Sequence, residues 1–161
     1  MFSAIGLTPS RCFWGVFIIL AVWLQLFFSG MDFFVPGIVV CLQRGRLGHA
    51  FGLTLLAVMI QEGTGSLAFG ASILRYGGLI GLFVLGRSLL EPRSPVFIVL
   101  LALTFTLIHV ITLKTMASLQ SMHVPLQQLA WDGTFLFATF LLGWWLLDGL
   151  YRFFFRHESL A

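Results

Sequence analysis

VFIVLLALTFTLIHVITL, from Val96 to Leu113, carries no formal charge. At about 1.5 Å per residue it makes a helix of about 27 Å, close to the ~30 Å hydrocarbon core of a bilayer. Glu91-Pro92-Arg93-Ser94-Pro95 fences it upstream, where two prolines and two charges leave no helical option. The rest of the chain agrees with this one stretch. Its 161 residues are 59% hydrophobic and 9% charged, with a mean hydropathy of +1.01. Soluble domains carry roughly 25% charged residues, so a water-facing surface is excluded. Disorder is excluded too, because there is ample apolar surface to bury.

Working outward, the apolar stretches fall into six. Upstream lies Ala68–Leu90, with Arg75 inside it, preceded by a polar and glycine-rich break at Gln61-Glu62-Gly63-Thr64-Gly65-Ser66. Before that come a helix from Leu47 to about Gln61, a basic turn at Arg44-Gly45-Arg46, and a short run from Met31 to Gln43. That run covers only about 20 Å and is interrupted by Pro36-Gly37. It either crosses by borrowing flanking residues and thinning the bilayer, or it is partly re-entrant. The first stretch, Cys12–Phe28, ends at Ser29-Gly30; it is long for a signal-peptide core and lacks a small-x-small cleavage site, so it reads as an uncleaved first helix. Downstream, Lys114–Leu129 reads as a polar connector with room for a short interfacial helix. Trp131–Leu147 is the last span, and Tyr151–Ala161 a basic, aromatic tail that can meet anionic headgroups or a cytoplasmic partner.

Charge placement orients the six. With both ends in the cytoplasm, Arg11, Arg44, Arg46, Arg87, Arg93, Arg152 and Arg156 lie inside, and Arg75 and Lys114 outside. That positive-inside bias favours a full crossing by Met31–Gln43. Trp131, Trp144, Trp145 and Tyr151 fall near the ends of the last span, as an aromatic belt requires. The expectation is an all-α, polytopic membrane bundle of about six transmembrane helices, one integral membrane domain over residues 1–161. The scattered arginines form no stripe of the kind nucleic acid needs.

The polar residues within these spans carry the functional readings. Glu62 closes the third helix and Arg75 lies on the returning one, so the two can pair across the hairpin. Alternatively they snorkel separately to water, or they touch a substrate. Asp148 and Arg152 stand at i and i+4 in the favourable order for a helical ion pair. Asp132 reads as a helix-start residue. His109 reads as a buried histidine bonded to a neighbouring helix, with a proton-relay or ligand role as the alternative. His49, His123 and His157 are far from it in sequence, and no metal-ligand spacing is present. Gly48-x-x-x-Gly52 and Gly77-x-x-x-Gly81 put small residues on one face, for packing within the chain or against a partner's helix. Cys12 and Cys41 read as apolar packing residues. Gly63-Thr64-Gly65-Ser66 is neither a nucleophile elbow nor a phosphate loop, and no pair of embedded acids is present. No enzymatic activity, metal or cofactor is expected.

From Asp32 to Arg87 the chain resembles the MreD family of bacterial rod shape-determining membrane proteins. The resemblance rests on Asp32 before a short apolar span, the turn Arg44-Gly45-Arg46, and Gly48 and Gly52 on a helix ending in Gln61-Glu62. It continues through Gly63, Gly65 and Gly70, leading into the next helix. The chain departs from the pattern at Met31, where a proline is usual, and at Glu62, where an aspartate is usual. The resemblance implies a non-enzymatic component of the cell-wall elongation machinery in the bacterial plasma (inner) membrane. Its partners would then be an MreC-like periplasmic scaffold, the actin-like MreB filament and peptidoglycan synthases. It also implies a fold like that of the small substrate-binding components of vitamin importers. The rival reading is therefore such a transporter subunit, with Glu62, Arg75 and the Gln120–Gln128 connector lining an outward pocket and Gly45–Gly52 docking an energising partner. The few polar side chains in the spans weigh against it.

Overall fold

The computed structural model describes residues 9–28, 31–63, 70–119 and 125–155, with side chains from Cys12 to Phe154. The Ser29-Gly30 break, Thr64, Gly65 and Ser66, Gln120, His123, the Arg11 side chain, Arg156 and His157 lie outside the described residues. Six helices follow in order: α1 (Pro9–Phe27), α2 (Phe34–Gln43), α3 (Leu47–Gly63), α4 (Ala71–Gly86), α5 (Pro95–Leu119) and α6 (Leu126–Phe155). Among the described residues there is no strand, so the fold is all-helical. Two helices are long and apolar enough to cross a membrane, Pro95–Leu119 and Leu126–Phe154.

The shortest helix is the centre of the molecule. Every residue of α2 from Phe34 to Leu42 is buried, and α1, α3, α4 and α6 all pack on it. Pro36 does not interrupt it, contrary to expectation. It sits in the first turn, where a backbone N–H has no intrahelical acceptor and a proline costs nothing. Gly37 and Gly143 allow the close approach. A Cβ on Gly37 would strike the Phe17 ring of α1, and one on Gly143 would lie 2.7 Å from Pro36. The basic turn then ends α2 in a Schellman arrangement: Gly45, at φ +69°, donates to Leu42 O and Arg46 donates to Cys41 O. Only a residue tolerant of the left-handed region closes a helix this way.

Cross-links place the helices up and down. Gln43 at the end of α2 donates to Pro92 O in the α4–α5 loop, and Arg44 pairs with Asp148 near the end of α6. Phe13 of α1 meets Tyr151 of α6 edge-on at 5.6 Å, so the start of α1 and the end of α6 lie at that same end. Asp32, Gln61 and Ser72 gather at the other.

Several boundaries differ from expectation. The connector Lys114–Leu129 is mostly helix, since α5 continues to Leu119 and α6 begins at Leu126 after Pro125. Nothing in Lys114–Leu119 breaks a helix, so the loss of hydropathy does not end one. Asp132 is therefore well inside α6 rather than at its start. The same helix runs past Leu147 into the expected tail, held by Asp148 and Arg152 at 2.6 Å. Trp131 and Trp145 face outward, whereas Trp144 and Tyr151 turn inward.

Candidate functional site

Three helices, α3, α4 and α5, send polar side chains to one buried point beside the start of α2, where Asp32 meets them. Asp32 precedes the helix and accepts the Phe34 N–H at 3.3 Å, which puts its carboxylate at the positive end of the helix dipole. On α3, Gln61 continues the buried stripe Ala50, Leu53, Ala57. On α4, Ser72, Arg75 and Tyr76 share the inward face with Leu79 and Phe83. On α5, His109 follows Leu101, Ala102 and Phe105. Each polar group sits on the 3.6-residue stripe that its helix buries.

Their hydrogen bonds interlock. The Tyr76 hydroxyl donates to the Asp32 carboxylate, 2.8 Å from each oxygen. The Gln61 amide donates to Asp32 Oδ2 at 3.1 Å and to the Tyr76 oxygen at 2.9 Å. Its carbonyl accepts from Ser72 at 3.2 Å and from Arg75. Arg75 also donates to His109 Nδ1 at 2.9 Å. Arginine can only donate, so Nδ1 must offer its lone pair; His109 is the neutral imidazole with its proton on Nε2. The Gln61 amide thus separates a buried carboxylate from a buried guanidinium, its N–H₂ toward the acid and its oxygen toward the base. All six residues are buried.

Sequence-expected residues divide sharply here. Arg75 and His109 are in the network, and His109 does bond to a neighbouring helix. Glu62 is not. Its carboxylate accepts the N–H of Gly70 at 3.0 Å, across the α3–α4 connection, and Arg75 turns inward to Gln61 and His109 instead. The Glu62–Arg75 pair is therefore not formed. The reason is angular, since Glu62 lies about 100° around α3 from the buried stripe that ends in Gln61. Gly70, at φ +90°, starts α4 in a conformation that glycine adopts readily. Ser72 and Tyr76 are not singled out by the sequence, and Gln61 only as part of the break after the third helix and of the family-like pattern; their helical register with the buried stripes is the signal that finds them.

Of the two roles open to the small-residue stripes, packing within the chain is not seen among the described residues. A Cβ at Gly48, Gly52, Gly77 or Gly81 would meet nothing within 4 Å among the described residues. Gly77 and Gly81 are turned away from the Tyr76, Leu79 and Phe83 face. Gly48 and Gly52 instead line an apolar cleft of about 420 Å³ with Trp14 and Ile18. Close packing falls on other glycines, including Gly86 against Phe97 and Gly78 against Ile108.

The opposite end of α2 holds a second polar group. Asp148 accepts from Arg44 at 2.9 Å and from Arg152 at 2.6 Å, and the Arg44 guanidinium lies 3.7 Å over the Tyr151 ring. Trp144 donates to Gln43 Oε1 at 2.9 Å while Gln43 donates to Pro92 O at 2.6 Å. Of the other family-pattern residues, Asp32 is thus the hub of the buried network and Arg44 of this one; Arg46 is half-buried in the turn beside it.

No family model, curated protein or solved structure matches this chain. Among the described residues no three His, Cys, Asp or Glu side chains converge as a metal site would require.

Proposed function

We propose that this chain is a six-span membrane protein of the bacterial plasma membrane, acting as a non-catalytic scaffold of the cell-wall elongation machinery. The observation that carries the membrane placement is an inverted surface. Asp32, Gln61, Ser72, Arg75 and His109 are buried, while Phe51, Leu55, Leu100, Leu107, Leu142 and Leu146 on three different helices are exposed. Water gives no reason for that arrangement; a hydrocarbon solvent does. In this reading α2, about 15 Å long, crosses as a helix sheathed in protein, so its ends need not reach lipid headgroups. The arginine-rich end faces the cytoplasm.

Two features support a scaffold over a transporter subunit. Glu62 and Arg75, which a solute pocket would need, are engaged in bonds inside the chain, and none of the clefts at the arginine end, beside α1 or between α5 and α6 is lined by either. In addition, Asp32, Arg44, Glu62 and Gly70, which carry the likeness to the MreD family, each have a structural task in this fold. The test is affinity purification of the tagged chain from its native membrane in mild detergent. Co-purification of a periplasmic coiled-coil scaffold and wall synthases is expected. Recovery of a paired ATPase and a bound small molecule would replace this reading with the transporter one.

A further inference from the structure

The cleft at the arginine end has the composition of an anion site. It encloses about 330 Å³ between the α2–α3 turn, the α4–α5 loop and the last turns of α6, and is lined by Gln43, Arg44, Arg93, Trp144, Asp148 and Arg152. Three guanidinium groups face one carboxylate, so the walls carry a net charge of about +2 at neutral pH.

The donors are also unspent. Asp148 takes one nitrogen of Arg44 and one of Arg152, and each guanidinium has five N–H groups. Arg93 is exposed and forms no ion pair with any described residue. The frame is rigid. Tyr151 underlies Arg44, Asp148 braces Arg44 and Arg152, and the Trp144–Gln43–Pro92 chain of hydrogen bonds ties α6 to α2 and to the loop carrying Arg93. Planar guanidinium groups suit the tetrahedral oxygens of a phosphate, and Asp148 and Tyr151 hold that of Arg44 in place.

We propose that this cleft binds a phosphate group, with Arg93 and Arg152 as the primary contacts and Arg44 as the fixed third donor. Two sources present that chemistry, the headgroup of an anionic phospholipid and a soluble phosphate ester. The first rests on the membrane placement above, since basic pockets between helices at the cytoplasmic face are where such headgroups are held. The second does not.

The experiment uses the full chain purified in a neutral detergent. Native mass spectrometry compares retention of dioleoyl-phosphatidylglycerol with that of dioleoyl-phosphatidylcholine at equal concentration. In parallel, thermal unfolding is followed in inorganic phosphate against chloride at matched ionic strength. Selective retention of phosphatidylglycerol identifies the lipid source. A rise in unfolding temperature with phosphate, without lipid preference, identifies the soluble one. In either case Arg93→Gln, which breaks no bond described in the fold, is expected to weaken binding about tenfold. Arg87→Gln, an exposed arginine outside the cleft, is expected to leave it unchanged. Equal retention of both lipids with no phosphate response would overturn the proposal. So would Arg93→Gln binding like the parent, or Arg87→Gln weakening binding as much as Arg93→Gln.

Discussion

The two ends of α2 are built from similar residue types and end up opposite in character. At its start, Asp32 and Arg75 balance one another through Gln61 and Tyr76, and every participant is buried. At its end, Arg44, Arg93 and Arg152 outnumber Asp148, and Arg152 is 68% exposed. The first is a buried network whose members bond one another, with Arg75 Nε left without a partner among the described residues. The second is an open one with donors to spare. A buried network in a low-dielectric interior fixes helix register and is costly to break; an open one is cheap to alter and available to a ligand.

The largest effect is therefore expected at the buried end. Arg75→Ala removes the counter-charge of Asp32 and strands Gln61 and His109, and should cost about 3–5 kcal/mol in denaturation of the detergent-solubilised protein. Asp32→Ala should cost a similar amount, and the double variant should lose clearly less than the sum. Additive losses would show that the acid and base do not communicate through Gln61.

Tyr76→Phe keeps the ring and deletes one hydroxyl, leaving Asp32 short of a donor; a loss of about 1–3 kcal/mol is expected by the same measurement. Gly143→Ala probes how tightly α2 is sheathed. With a Cβ 2.7 Å from Pro36, it should cost about 1–3 kcal/mol. Gly52→Ala and Gly81→Ala, where the added methyl meets nothing within 4 Å among the described residues, should be neutral or slightly stabilising, since alanine favours helix by about 1 kcal/mol over glycine.

The smallest effect belongs to the open end. Arg152→Gln removes an exposed i,i+4 partner and should change stability by no more than about 0.5 kcal/mol, less in high salt. A loss of several kcal/mol there would erase the contrast between the two ends.

How much of this was legible follows the range of each interaction. Asp148 and Arg152 are one helical turn apart, so spacing alone paired them; Arg44, 104 residues from Asp148, could not be seen. His109 was read as bonded across helices, but nothing in the sequence named Arg75 as its partner. Glu62 drew attention because it is charged, yet the residue beside it, Gln61, has the inward register. The α2 run reads as too short because hydropathy measures length against a bilayer, whereas a helix enclosed by four others has no need of that length. The repeated glycine spacings marked small faces, and tertiary packing used different glycines. Helix ends at Leu119 and Leu126 were missed because they follow backbone continuity rather than hydropathy.

A six-span arrangement, as proposed, requires α2, short as it is, to carry the chain from one side of the membrane to the other. Cysteine scanning tests it directly, in a chain with Cys12 and Cys41 replaced by serine and alanine. Single cysteines at Phe28 and at Leu47, both exposed and flanking α2, would be labelled with a membrane-impermeant maleimide in intact spheroplasts and again after permeabilisation. The expected result is labelling of the Phe28 position from outside and of the Leu47 position only after permeabilisation. Labelling of both from the same side would make α2 a re-entrant segment and contradict the six-span account.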